Sequence, residues 1–103
     1  MRIRLLPAAE RDIELGADFY ESQKPGLGVY FNDCITSDIE SLMLYAGIHE
    51  KYRGFHRSLS KRFPFAIYYT TSDDSINIFA VLDVRQDPRK IDAALSSVKS
   101  QLE

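Results

Sequence analysis

The sequence of 103 residues has little of what several protein classes require. Its single cysteine, Cys34, excludes a disulfide within the chain and fits a reducing compartment. No apolar run approaches the roughly 20 residues that a membrane helix needs. The short apolar stretch that follows Met1 does not match a signal peptide. We therefore predict a cytoplasmic protein that does not act at a membrane.

The chain also lacks the patterns that bind metals or cofactors. Its two histidines, His49 and His56, do not combine with Cys34 in any recognised metal-ligand spacing. The acidic residues within 10–18 are typical of a solvated helix face and not of a catalytic carboxylate pair. The sequence therefore predicts no metal site and no cofactor.

Overall positive charge is missing as well, because 13 basic and 15 acidic residues give a net charge of −2. The two halves differ, however. Residues 1–50 carry 4 basic and 9 acidic residues, whereas residues 51–103 carry 9 basic and 6 acidic ones. Segment 51–62 is basic without any acid, so it creates a local positive field for phosphate or an acidic partner. A solvated basic strand that balances an acidic helical layer is the alternative, and charge pattern alone favours it.

What the chain does have is a 45 % apolar fraction, enough for a core, with a clear periodicity. Residues 1–6 alternate as a short strand does. Pro7 is suited to the first turn of a helix, which the Pro-Gly segment 24–28 ends. Residues 27–43 then repeat apolar side chains at four-residue spacing. Two helices joined by so short a break are expected to pack as an antiparallel hairpin.

Beyond the second helix the apolar period changes to two. It predicts strands at 55–60, 63–69 and 76–84, and a closing helix at 90–102. The order is β-α-α-β-β-β-α, and consecutive strands with short turns should pair antiparallel. We predict an α+β fold of two layers, in which a helical hairpin packs on an antiparallel sheet. Residues 1–103 are expected to form a single domain.

Four short segments, which together span nearly the whole chain, carry a family resemblance. They are Ala8 to Asp12 with Ile13 and Tyr20, Gly26-Leu27-Gly28 with Phe31, Arg62-Phe63-Pro64-Phe65-Ala66-Ile67-Tyr68-Tyr69, and Ile78-Phe79-Ala80-Val81-Leu82 with Asp87-Pro88-Arg89. In their order and spacing the sequence resembles the RelE/ParE toxins of bacterial type II toxin–antitoxin systems. The resemblance implies a RelE/ParE-like fold and a cognate antitoxin that wraps and silences the toxin. Operator DNA would be contacted only through that antitoxin.

The resemblance leaves two activities open. RelE-like members enter the ribosome and cut mRNA, whereas ParE-like members poison DNA gyrase and have no established catalytic residues. RNA cleavage needs groups that take a proton from the 2′-hydroxyl and stabilise charge on the phosphate. In the nuclease branch of the family, two strand lysines, a strand arginine, a later arginine and a C-terminal tyrosine act in this way.

Most of these nuclease positions are not matched here. Arg57 keeps a positive charge at the first lysine, but Leu59 stands at the second and Ala66 at the strand arginine. Arg85 could be the later arginine, and no tyrosine follows Arg89. The resemblance therefore favours a ParE-like gyrase inhibitor without catalytic residues, with growth inhibition and plasmid stabilisation as its expected effects. The alternatives are a RelE-like ribosome-dependent mRNA endoribonuclease and a non-toxic co-repressor that only binds its antitoxin.

Basic residues in the segment 51–62 and in the loop after the last strand are the candidates for binding the antitoxin or the target. For Arg57, contact with phosphate or an acidic segment competes evenly with an ion pair to a helix acid. Tyr68 could stack on a base, although cross-strand packing is the commoner role. The candidate binding residues are Arg53, Arg57, Lys61, Arg62, Arg85 and Arg89.

Overall fold

The computed structural model describes residues 1–100, which form an α+β fold with the predicted order of helices and strands. The elements are β1 (Arg2–Leu5), α1 (Pro7–Gln23), α2 (Leu27–Tyr45), β2 (Lys51–Tyr52), β3 (Phe55–Leu59), β4 (Phe65–Thr71), β5 (Ser75–Asp83) and α3 (Pro88–Lys99). The two-residue strand β2 was not predicted. The closing helix begins earlier than expected, and the last two residues predicted for it, 101–102, lie outside the described residues. No helix within residues 1–100 is long and apolar enough to cross a membrane.

The helices α1 and α2 form the predicted hairpin. Pro7 stands at the start of α1, where its missing N–H is not needed. Gly26 adopts a φ of 90° in the turn between the helices, a conformation that favours glycine. The backbone amides of Gly26 and Gly28 both donate to the Glu21 carboxylate at 3.0–3.1 Å. A Cβ atom at Gly28 would lie 2.5 Å from the Ala17 carbonyl oxygen, so glycine permits this close approach of the helices.

The five strands form one sheet in the order β1-β5-β4-β3-β2. Strands β2 to β5 pair antiparallel, as expected. The strand β1, however, pairs parallel with β5, from Arg2 opposite Ser75 to Leu5 opposite Ile78. A parallel pair needs a long crossover connection, and the chain between the two strands provides it. The sheet is therefore mixed, and the expectation of a purely antiparallel sheet was wrong for its first strand.

Helices cover both faces of the sheet. The hairpin shares one core with side chains such as Ile67 and Tyr69 of β4. On the other face, Leu95 and Val98 of α3 share a second core with Tyr68. The structure thus has three layers and not the two that were predicted. The physical reason is that β4 and β5 present buried side chains on both faces, so each face needs a cover.

Beyond the end of β1, the side chain of Asp12 accepts a backbone hydrogen bond at the outer edge of β5. β1 pairs with β5 only as far as Leu5 and Ile78. Further along β5, the Val81 N–H donates to Asp12 Oδ2 of α1 at 3.0 Å. Burial raises the pKa of Asp12 to about 6, and the bond from Val81 opposes this rise only in part. Asp12 therefore attaches α1 to an edge position that no strand occupies.

Candidate binding surface

The six predicted binding residues lie at or near the edge and the ends of the sheet. Arg53 lies in the turn between β2 and β3, Arg57 in β3, Lys61 and Arg62 in the β3–β4 loop, Arg85 after β5, and Arg89 in the first turn of α3. They fall into two groups of three. Within the described residues, one group forms ion pairs with aspartates and the other does not.

Arg85 and Arg89 each pair with an aspartate two residues earlier in the chain. The distances are 2.8 Å from Arg85 to Asp83 and 2.7 Å from Arg89 to Asp87. These arginines lower the pKa of both carboxyl groups by hydrogen bonding to them. Asp87 also accepts the Arg89 backbone N–H at 2.9 Å and so caps α3. Both arginines therefore have local structural roles and a neutralised charge.

Arg53 connects the β2–β3 turn to α3. Its guanidinium lies 2.8 Å from Asp92 Oδ2, and the Tyr52 hydroxyl donates to Asp92 Oδ1 at 2.5 Å. Arg53 also adopts a positive φ of 53° directly before Gly54, which makes the turn tight. The side chain of Arg53 is thus already paired with a carboxylate of α3.

Arg57 is half-buried and has no carboxylate partner. Its side chain lies on the α3 side of β3, where Nε is 3.4 Å from the Tyr68 hydroxyl. No ion pair involves Arg57 among the described residues. Of the two alternatives for this residue, the ion pair with a helix acid is therefore not the one that the structure adopts. Its positive charge is available to a partner.

The outer edge of β3 is only partly covered. The Arg57 N–H points outward and donates to the Glu50 carbonyl oxygen at 3.0 Å. Because strand residues alternate, the backbone groups of Leu59 point outward too, beyond the end of the two-residue strand β2. Leu59 itself is 59 % exposed. A depression of about 290 Å³ adjoins this edge and is lined by Glu50, Lys51, Tyr52, Arg57 and Leu59. An open strand edge of this kind can pair with an extended segment of another chain.

A buried acid holds the β3–β4 loop in place. Asp38 of α2 is only 7 % exposed and accepts bonds from the Ser60 hydroxyl at 2.6 Å and from the Lys61 N–H at 3.3 Å. The side chains of Lys61 and Arg62 are exposed and have no ion pair within residues 1–100. No sequence pattern predicted this anchor, because a single Asp in an amphipathic helix normally faces water. We call the surface formed by Arg57, Leu59, Lys61 and Arg62 the basic edge.

Two positions that bear on nuclease activity are inaccessible. Ala66 and Tyr68 of β4 are fully buried in the core beneath α3. The Tyr68 ring therefore cannot stack on a base in this structure, and cross-strand packing is the correct interpretation.

Both histidines contact Tyr69, a cluster that was not predicted from the sequence. The Tyr69 hydroxyl accepts the Gly47 N–H at 3.0 Å and bonds to His49 Nδ1 at 2.5 Å. His56 stacks on the Tyr69 ring at 5.1 Å and its Nδ1 bonds to the His49 carbonyl oxygen. Burial and the neighbouring His56 lower the pKa of His49, and burial raises that of Tyr69. The cross-strand pairing of His56 with Tyr69 between β3 and β4 is the feature that could have predicted this cluster.

These histidines attach the α2–β2 loop to the sheet. The hydrogen bonds of both Nδ1 atoms fix the orientation of the two imidazole rings. Within the described part of the chain, no three residues among histidine, cysteine, aspartate and glutamate are grouped to hold a metal ion.

Neither a protein-family model nor a curated protein matches the sequence. A solved structure does match: a chain of the chromosomal ParDE TA system from P. aeruginosa superposes with a TM-score of 0.74. The match covers 82 % of the present chain and 97 % of that chain, at 18 % sequence identity. At this identity the likeness is evidence of a shared fold. It confirms the expected RelE/ParE-like α+β fold.

Proposed function

We propose that this chain is the toxin of a type II toxin–antitoxin system, that it inhibits DNA gyrase by binding to it, and that a cognate antitoxin neutralises it. The observation that carries the proposal is the fold shared with a chain of the ParDE system over 82 % of the present sequence. The toxin unit would comprise residues 1–103 as one domain. It would contact operator DNA only through the antitoxin.

The buried positions in β4 favour binding over catalysis. RNA cleavage requires a base near the 2′-hydroxyl and a cation near the phosphate. At the positions where the resemblance implies such groups, the chain has the exposed Leu59 and the fully buried Ala66. Arg57 keeps a charge at the first lysine position, and Arg85, the possible later arginine, is paired with Asp83. A toxin that acts by occupying a surface needs neither group.

The basic edge is the surface that we assign to the antitoxin. Its three cations, Arg57, Lys61 and Arg62, have no ion pair among the described residues. The exposed backbone of Leu59 offers strand hydrogen bonds beside them. An acidic, extended segment satisfies both features, since complementary charge steers association and fixes register. By contrast, Arg53, Arg85 and Arg89 are already neutralised by aspartates and would contribute less.

The deciding experiment is induced expression in a bacterial host that lacks the antitoxin, with DNA and protein synthesis followed in parallel by pulse-labelling. Gyrase inhibition predicts that DNA synthesis stops first and that co-expression of the antitoxin restores growth. The same purified chain should block supercoiling by gyrase in vitro. If protein synthesis stops first, the chain is an mRNA-cleaving toxin instead. If neither process slows, the protein is a non-toxic antitoxin-binding co-repressor.

A further inference from the structure

A second concave surface lies at the opposite edge of the sheet, where α1, α2 and β1 meet. Its volume is about 540 Å³, within the range of roughly 300–1,000 Å³ that is typical of binding sites. The floor is apolar and consists of Ile3 and Leu5 from β1, Ile13 from α1 and Ile39 from α2. We call this surface the hairpin groove.

The hairpin groove is open because β1 is the last strand of the sheet on this side. The side chains of Ile13 and Ile39 complete the hairpin-side core, and what remains of their surface faces the groove. Leu5 is 39 % exposed, although it belongs to a strand. The groove is thus an extension of the core that nothing within residues 1–100 covers, and the exposed part of Leu5 offers an apolar contact to a partner.

Acidic side chains line the walls of the groove. Glu10 and Glu14 lie on the α1 wall, and Glu40 lies on the α2 wall with Asn32 and Thr36. All three glutamates are exposed, and none forms an ion pair within residues 1–100. The groove therefore combines an apolar floor with walls that carry three glutamates.

We propose that the hairpin groove binds a basic amphipathic helix of a partner protein. Aliphatic side chains on one face of that helix would contact the floor, and Lys or Arg side chains beside them would meet the glutamates. Glu10 and Glu14 lie about one helical turn apart on α1, a separation of about 6 Å. Cations four residues apart on a helix that runs along α1 repeat that separation. Helical ridges also pack readily between two neighbouring helices.

This surface is distinct from the basic edge in position and in charge. The basic edge lies on β3 and the following loop, next to the last strand on the other side of the sheet. It suits an acidic segment, whereas the hairpin groove suits a basic one. The chain could therefore bind two segments of opposite charge at the same time.

The probe for this proposal is a labelled synthetic peptide of about 15 residues, long enough to form a helix. Leucines would recur on one face and lysines would flank them; a second peptide would carry glutamates in place of the lysines. Fluorescence anisotropy would measure binding to the full chain, and amide shifts in NMR spectra would locate it. The expected result is binding of the lysine peptide alone, with shifts centred on Leu5, Ile13 and Ile39.

A charge-reversed pair and a matched control complete the test. Glu10→Lys/Glu40→Lys changes one residue on each wall and should weaken binding of the lysine peptide about tenfold or more. Asp18→Lys/Asp33→Lys makes the same change of net charge on the same two helices outside the groove, and should leave binding unchanged. Circular dichroism would verify that both variants fold. Equal effects of the two pairs, equal binding of the two peptides, or no binding to the unmodified chain would each overturn the proposal.

Discussion

The two edges of the sheet differ in the chemistry that they offer to a partner. The basic edge combines cations with open backbone groups on β3, and it has little apolar surface beyond Leu59. The hairpin groove combines an apolar floor with glutamates, and its atoms come from side chains. A net charge of −2 describes neither edge. Binding surfaces on a small protein therefore have to be inferred from local charge and local backbone exposure.

A second contrast concerns how each edge is held in place. The carboxylate of Asp12 attaches α1 beside the groove and has a raised pKa. The cluster of His49 with Tyr69 holds the loop that leads to β2, and His49 has a lowered pKa. Lowering the pH therefore favours the folded state through Asp12 and opposes it through His49.

The largest expected effect is on the binding of the antitoxin to the basic edge. Arg57→Glu/Arg62→Glu should weaken that binding about a hundredfold, equivalent to about 2.7 kcal/mol, because two unpaired cations become repulsive anions. Titration calorimetry with the purified antitoxin would measure the effect. Binding of the lysine peptide at the groove should stay unchanged, and a similar loss at both surfaces would show that the edges are not independent.

The second-largest expected effect distinguishes the contribution of the Leu59 backbone N–H to antitoxin binding from that of the Leu59 side chain. Leu59→Pro removes one outward N–H and should weaken antitoxin binding about tenfold if an extended segment pairs with β3. Leu59→Ala, which keeps that N–H, is the control and should cost less. Comparison of the two dissociation constants is the measurement. Equal losses would mean that the leucine side chain, and not strand pairing, binds the partner.

A third prediction concerns Asp12, which attaches α1 to β5 beside the groove. The pKa of Asp12 is higher in the folded than in the unfolded state, so its stabilising contribution is full below pH 4 and is lost as the pH rises through about 6. Asp12→Asn keeps an acceptor for the Val81 N–H and cannot ionise. It should raise the free energy of unfolding at pH 7 by about 1 kcal/mol, after allowance for partial exposure to solvent. Urea denaturation at pH 5 and pH 7 would test this, with Asp18→Asn as the exposed control.

The smallest expected effect concerns His49, whose contribution to the free energy of unfolding changes with pH in the opposite direction to that of Asp12. The pKa of His49 is lowered on folding, so its contribution is present above the unfolded value of about 6.5 and declines as the pH falls below it. His49→Gln should make the free energy of unfolding less dependent on pH between 7 and 5, by less than about 1 kcal/mol. The same urea series would detect it. An unchanged slope would mean that protonation of His49 does not disturb its bond to Tyr69.

The order of the elements could be predicted from the sequence because it follows from apolar periodicity, a local property. The number of layers could not, since strand residues such as Ala66 and Tyr68 can face either water or a helix, and only the position of α3 decides. The parallel pairing of β1 was missed for a related reason. The pairing of β1 depends on the position of the sheet strands after the helical hairpin, and no local sequence pattern determines that position.

The candidate site was only partly predictable. The basic residues were visible as a run without acids, but their division into paired and unpaired groups depends on contacts such as that of Arg53 with Asp92 on a distant helix. The hairpin groove was not foreseen at all. Its acids look like an ordinary solvated helix face until the apolar floor between the helices is known. No interpretation of single residues could supply that floor.

The parallel pairing of β1 with β5 also determines when the groove can exist during synthesis. Arg4 and Asn77 are hydrogen-bonded, yet 73 positions separate them in the chain. Contacts of such long range form late, because a large loop must close first. While the ribosome is still making β4, Ile3 and Leu5 have no neighbouring strand to hold them beside α1. A nascent or truncated chain that ends before β5 therefore lacks the β1 part of the floor on which a partner would dock.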